Sequence, residues 1–124
     1  MFHRKRTSIF AAVGVAAALV ATQASAHAHL VSSNPAANAT VAAAPKTITL
    51  TFNEKLAPAF SKFEITMPEH GGMKVPVKTT VSKDGKSITG TPQAALGKGA
   101  YKVLWTAASA DGHKMTGEVT FKVG

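Results

Sequence analysis

The feature that most restricts the fold of this chain is an alternation of apolar and polar residues with a period of two. Within residues 47–52, Ile48, Leu50 and Phe52 alternate with threonines. Because successive side chains of a strand point to opposite faces, this pattern predicts a strand with one buried face. The same alternation returns in three later segments, residues 60–67, 100–107 and 117–123.

Turn residues divide the chain into short strands of this kind. Asn34-Pro35 favours a turn, and Asp84-Gly85 predicts a tight hairpin because glycine adopts positive φ values. No long segment has the spacing of an amphipathic helix, so we predict an all-β fold, a seven-stranded Greek-key β-sandwich of immunoglobulin-like type. Pro76 predicts an edge position for the fourth strand. The expected strands are residues 30–34, 47–52, 60–67, 73–81, 87–91, 100–107 and 117–123.

The first 26 residues have the three parts of a secretory signal peptide. Basic residues 3–6 precede an apolar run over residues 9–21, and Ala24-Ser25-Ala26 has the small-residue pattern of a cleavage site. The apolar run is shorter than the roughly 20 residues that cross a bilayer. We therefore expect a cleaved signal peptide over residues 1–26, one exported domain over residues 27–124, and no membrane anchor on the mature form.

Charge and cysteine content restrict the function of the mature domain. Removal of residues 1–26 leaves eleven lysines against six acidic residues, so the net charge falls from +8 to +5. These lysines are scattered and are not interleaved with aromatic residues, so no nucleic-acid partner is expected. The chain has no cysteine. The domain therefore has no disulfide bonds, and a metal site in it would have no thiolate ligand.

Cleavage after Ala26 would create an unusual metal ligand. His27 would become the first residue and would carry both an imidazole and a free α-amine. Asp111 and His113 flank Gly112, so a turn could point both side chains the same way. In many sandwiches the first strand pairs in parallel with the last, and we expect that pairing to bring His27 to Asp111 and His113. Three nitrogens and one oxygen suit tetragonal Cu(II), although Zn(II) could use the same atoms.

His29 offers a different chelate. A terminal amine, two deprotonated backbone amides and the ring of His29 could surround Cu(II) or Ni(II) in a plane. Because backbone donors in sheets are seldom left free, we expect His29 to lie beside the site without binding the metal directly. A simpler interpretation also stays open, in which Asp111 and Gly112 form only a turn and His113 is an ordinary polar residue.

Four stretches of the chain resemble the periplasmic copper-resistance proteins of the CopC type. They are HAHLVSSNPA at residues 27–36, LTFNE at 50–54, GAYKVLW at 99–105 and SADGHKMTG at 109–117. The resemblance covers essentially the whole mature chain. Its most specific parts are the histidine directly after the cleavage site and the late Asp-x-His segment.

The resemblance implies a cupredoxin-like or immunoglobulin-like sandwich that binds Cu(II) through a histidine brace. In such a brace His27 provides its amine and imidazole, His113 a second imidazole and Asp111 a carboxylate. The family also implies a periplasmic carrier or buffer in copper homeostasis and resistance. Its partner would be an inner-membrane copper transporter or another periplasmic copper protein.

Some members of the family also hold Cu(I) in a methionine-rich loop between two middle strands. The matching stretch here contains Met67, His70 and Met73. Thioether sulfur suits Cu(I), so these residues are a candidate second site. Met67 also occupies an inward strand position, where a role in the core is the simpler interpretation.

Two other classes of function compete with a copper carrier. A histidine brace is also the copper site of polysaccharide-oxidising monooxygenases, which commonly present aromatic residues to a flat substrate. Tyr101 and Trp105 share one strand face, where core packing is the expected use. The other class is a metal-free immunoglobulin-like interaction domain in which the histidines are incidental. We predict a copper-binding protein that is not an enzyme.

Overall fold

The computed structural model of the chain describes residues 27–124. The predicted signal peptide, residues 1–26, lies outside the described residues. Among residues 27–124, no helix has the length and apolar character that crossing a bilayer requires.

Two β-sheets pack face to face. The first sheet has the strand order β1-β3-β7-β6, and the second has the order β2-β9-β8-β4-β5. This is the arrangement of an immunoglobulin-like sandwich, with β3 and β7 central in one sheet and β9, β8 and β4 in the other. The strands are β1 Leu30–Asn34, β2 Thr40–Val41, β3 Ile48–Phe52, β4 Lys62–Met67, β5 Met73–Val75, β6 Val77–Val81, β7 Ser87–Pro92, β8 Gly99–Ala108 and β9 Lys114–Val123. Single 3₁₀ turns span Pro58–Phe60 and Pro68–His70.

The predicted sandwich is confirmed, but the described residues form nine strands rather than seven. One additional strand is β2, two residues long, in the alanine-rich stretch. The other arises because residues 73–81 are not one strand. Proline has no N–H to donate to a ladder, and Pro76 separates β5 from β6, which lie at the edges of different sheets.

The alternating residues predicted to face inward form the core. Ile48, Leu50 and Phe52 of β3 are at most 2% exposed. The inward faces of β8 and β9 are also buried, with Tyr101 stacked on Phe121 at 5.4 Å between ring centroids. Alternation therefore located the buried face of these strands correctly, because each strand has one sheet face on the core.

Gly90 allows the two sheets to approach each other. A Cβ atom at Gly90 in β7 would lie 2.2 Å from Cζ of Phe63 in β4 and 2.9 Å from Cγ2 of Val77 in β6. The absence of a side chain therefore lets the Phe63 ring of the second sheet pack directly on the backbone of the first.

The predicted parallel pairing of the first strand with the last is wrong. β1 pairs antiparallel with β3 in the first sheet, and it is β2 that pairs in parallel with β9. That contact joins Thr40 to Lys122, near the end of β9 opposite His113. The segment at His27 must therefore reach His113 by another route.

Candidate metal centre

The β3–β4 connection provides this route. The backbone N–H of His29 donates to Oδ1 of Asn53 at 2.7 Å, and the N–H of Asn53 donates to the carbonyl oxygen of His29 at 3.1 Å. Leu30 then pairs with Phe52 as β1 begins. The segment before β1 thus runs beside the end of β3 and is held there by both backbone groups of His29.

The same connection also contacts the turn between β8 and β9. The N–H of Ala57 donates to the carbonyl of Ala108 at 2.7 Å, and Leu56 forms an isolated antiparallel bridge with Ser109. The β3–β4 connection therefore lies between the start of the domain and the loop that carries Asp111 and His113. Three segments distant in sequence meet at one end of the sandwich.

Ala28 fixes the position of His27. Its side chain is fully buried in the core cluster, whereas His27 and His29 on either side are exposed. A buried residue directly after His27 ties the start of the domain to the core, because removing that methyl group from water is favourable. His27 is thus held at the surface within one residue of a fixed point.

The imidazoles of His27 and His113 lie side by side. Their ring centroids are 4.9 Å apart and their planes meet at 76°. The two histidines predicted to share a metal are therefore neighbours, although β1 does not pair with β9. Metal–nitrogen bonds of about 2.0–2.1 Å are typical of histidine sites, and two rings this close could each offer a nitrogen to one ion.

Asp111 organises the loop that carries His113. Its Oδ1 accepts the Ser109 hydroxyl and, at 3.2 Å, the backbone N–H of His113. Its Oδ2 lies 2.8 Å from Nδ1 of the His113 ring. The Ser109 hydroxyl, the His113 ring and the His113 backbone N–H hold the pKa of Asp111 well below its usual range. Asp111 therefore stays a carboxylate through the pH range in which imidazoles titrate.

Side chains alone do not form a closed metal site. Within residues 27–124, no three histidine, cysteine, aspartate or glutamate side chains are placed to hold an ion together. The brace predicted from the sequence includes a further donor, the α-amine of His27, which exists only in a chain that begins at that residue. The donor set of two imidazoles, an amine and a carboxylate contains no sulfur, which suits Cu(II).

The planar chelate through His29 conflicts with an observed hydrogen bond. In that chelate the backbone amide of His29 is deprotonated and its nitrogen binds the metal. In the structure this amide keeps its proton and donates it to Oδ1 of Asn53. Forming the chelate would remove one of the two bonds that hold the start of the domain against β3.

The candidate Cu(I) residues lie at the other end of the second sheet. Met67 and Met73 are directly opposite each other in the β4–β5 hairpin, with His70 in the turn between them. Met67 is half-buried against the core, as its inward position predicted, whereas Met73 is 58% exposed and His70 is also exposed. The structure thus brings the two methionines to adjacent positions.

Two residues near the candidate site were not identified from the sequence. Ser109 is 2% exposed and contacts Asp111, and Glu54 lines a recess of about 390 Å³ together with Ser109 and Asp111. Serine, aspartate and glycine are typical turn residues, so the sequence from Ser109 to Gly112 could have indicated the first contact. Nothing local indicates the second, since Glu54 approaches Asp111 only through the fold.

Comparison with known proteins gives consistent matches. The family model described as CopC domain matches residues 30–124. Copper resistance protein C of Xanthomonas campestris pv. juglandis is 44% identical over 116 residues, which cover 90% of this chain and 91% of that protein. The crystal structure of PcoC, a methionine-rich copper resistance protein from Escherichia coli, is 40% identical with a TM-score of 0.73. That match covers 79% of this chain and 99% of PcoC.

A further relative is much longer than this chain. Copper transport protein CutJ of Bacillus subtilis is 33% identical over 100 residues, which cover 80% of this chain but only 18% of CutJ. A domain of this kind therefore also occurs as one part of a larger protein.

Proposed function

This chain belongs to the CopC domain family, and from that premise we propose that it binds Cu(II) and acts in copper resistance or homeostasis as a carrier or buffer. The ion is held by a histidine brace. His27 gives its α-amine and imidazole, His113 gives a second imidazole and Asp111 gives a carboxylate oxygen. His29 lies beside the brace and is not a ligand.

The observation that carries this proposal is the contact between the two imidazoles. His27 and His113 are 86 positions apart in the chain, yet their ring centroids are 4.9 Å apart at the surface. Two exposed imidazoles at this distance can each give a nitrogen to one ion. Cu(II) is favoured over Zn(II) because it stands above zinc in the affinity order of divalent ions and because relatives are named for copper resistance.

The site of action follows from the predicted signal peptide. Export with cleavage after Ala26 would place the mature domain in the periplasm and would also create the amine of His27. An inner-membrane copper transporter is the partner we propose. The occurrence of a related domain within a longer protein named for copper transport supports this choice, because domains that work together are often joined in one chain.

An oxidising enzyme is a weaker candidate for this site. Such an enzyme would present aromatic side chains to a substrate, but Tyr101 is 2% and Trp105 is 8% exposed. Both pack in the core, and the Trp105 ring meets Phe52 edge to face at 5.1 Å. Copper-dependent oxygen consumption in the presence of a reductant, coupled to polysaccharide cleavage, would favour the enzyme instead.

Copper should stabilise the folded domain that begins at His27. A ligand bound only by the folded state adds about 2.7 kcal/mol to the free energy of unfolding at a hundredfold excess over its dissociation constant. We expect this gain in urea denaturation with Cu(II), and electron paramagnetic resonance should show nitrogen ligands. His113→Ala should lose most of the gain.

His70→Ala is the matched control, because His70 is an exposed histidine at the other end of the second sheet. It should keep the full gain in stability. A wild-type domain whose unfolding curve does not move with Cu(II) would contradict the proposed function and favour the metal-free interaction domain.

Met73, His70 and Met67 are proposed as a second site, for Cu(I). The double variant His70→Ala, Met73→Ala should lose Cu(I) binding measured by chelator competition under a reductant, while Cu(II) binding is kept. Met115→Leu changes a methionine outside this hairpin and should have no effect on Cu(I). Equal Cu(I) affinity in the double variant and the wild type would exclude this site.

A further inference from the structure

Ser109 lies beneath the loop that carries Asp111 and His113. It follows the last residue of β8 and is 2% exposed. Its hydroxyl donates to Oδ1 of Asp111 and lies 3.3 Å from the carbonyl oxygen of His113, to which its backbone N–H also donates at 3.0 Å. One buried residue therefore binds both the carboxylate and the backbone of the loop.

The contacts of Asp111 determine which nitrogen of His113 carries a proton. An ionised carboxylate only accepts hydrogen bonds. The proton in the 2.8 Å contact between Oδ2 of Asp111 and the His113 ring therefore lies on Nδ1. In the neutral imidazole the lone pair is then on Nε2, and this is the nitrogen that can bind a metal. This arrangement belongs to the metal-free domain, because Nε2 points away from Oδ2 and the carboxylate must turn from Nδ1 before one of its oxygens can bind the same ion.

We propose that Ser109 is a positioning residue, whose hydroxyl orients the Asp111 carboxylate so that His113 is held with its proton on Nδ1 and with Nε2 available to the metal. The part of this inference that concerns copper rests on the proposed function. Partners of metal-binding histidines fix the tautomer and ring orientation in this way in many sites. Without the hydroxyl, Oδ1 keeps only the His113 N–H, and the carboxylate can rotate away from Nδ1.

Two buried serines at this end of the sandwich allow a matched comparison. Ser61 is 5% exposed, and its hydroxyl bonds the carbonyl of Ala57 at 2.9 Å and the N–H of Ala108 at 3.1 Å. Ser109→Ala should weaken Cu(II) binding by about 10–100-fold, the usual range for loss of such a partner. Ser61→Ala removes comparable hydrogen bonds outside the loop and should change the affinity less than about threefold.

The tautomer can be read in the metal-free domain by the nitrogen-15 shifts of the ring. Above about pH 8, where imidazoles are neutral, wild-type His113 should show a protonated Nδ1 and an unprotonated Nε2. Ser109→Ala should show a mixture of the two tautomers, and Ser61→Ala should match the wild type. Ser61→Ala therefore controls for a general loosening of this end of the fold, because its hydrogen bonds lie outside the loop.

The tautomer of His113 in the wild type and in Ser109→Ala decides whether Ser109 has this role. A wild-type His113 protonated on Nε2 overturns it even if Ser109→Ala does not fold. It is also overturned if Ser109→Ala keeps the wild-type tautomer, whatever its copper affinity. If the wild-type domain binds no copper but the tautomer responds as expected, the proposed function fails while the role of Ser109 in orienting the loop stands.

Discussion

One alanine added before His27 should weaken Cu(II) binding by more than about a hundredfold, which exceeds the 10–100-fold loss usual for the partner of a ligand. The extension turns the α-amine of His27 into a peptide nitrogen, so the brace loses a donor and its chelate ring together. Copper titration should show the loss of affinity. Electron paramagnetic resonance should show fewer nitrogen ligands.

One alanine added after Gly124 is the matched control. Gly124 follows β9 beside Val41 and is exposed, at the end of the strand opposite His113. This extension should leave copper affinity and the resonance spectrum unchanged. If both extended chains bind copper as the unextended domain does, the amine is not a ligand and the brace is rejected.

A variant of His29 separates the brace from the planar chelate, since both use the terminal amine. His29→Ala should leave Cu(II) affinity within about threefold of the wild type. The planar chelate would instead lose its ring ligand, with a loss larger than the 10–100-fold range cited for indirect contacts. Retained binding in His29→Ala together with lost binding in His113→Ala would identify the brace.

Phe52→Ala should lower the free energy of unfolding by about 3–5 kcal/mol. Phe52 is 2% exposed and packs edge to face on Trp105. The chain has no cysteine, so no disulfide limits the damage, and domains of this size have only about 5–15 kcal/mol of stability in total. Urea denaturation should show a lower midpoint with a similar slope, and a substantial unfolded fraction near physiological temperature.

Phe60→Ala is the matched control for this substitution. Phe60 is 57% exposed, and Nζ of Lys114 lies 5.1 Å from its ring centroid. Loss of an exposed cation–π contact costs only about 0.5–1 kcal/mol, so Phe60→Ala should be mild. A similar cost for both substitutions would contradict the assignment of Phe52 to the core.

The strand faces were largely determined by the local sequence. Ile48, Leu50 and Phe52 are buried as their alternation predicted, because period-two burial is a property of each strand by itself. Gly85 has a φ of 77°, as the Asp84-Gly85 hairpin signal required. Alternation does not encode the partner of a strand, however. Residues 73–81 contain two strands that belong to different sheets, and the pattern did not separate them at Pro76.

The residues of the candidate site were also chosen from the sequence, but their meeting was decided by the tertiary structure. The predicted cleavage site and the Asp-x-His segment indicated His27, Asp111 and His113, and the family resemblance indicated copper. The expected route, a parallel pairing of the first and last strands, was wrong. The start of the domain reaches His113 past Asn53 instead, through hydrogen bonds of His29.

Ser109 also has one feature set by the local sequence and one set by the tertiary structure. Its position two residues before Asp111 is visible in the sequence, but its burial depends on how Leu56 of the β3–β4 connection pairs with it. Local patterns determine which face of a segment avoids water, because that preference acts within a few residues. Pairings between distant segments depend on the free energy of the whole packed domain, and only the tertiary structure decides them.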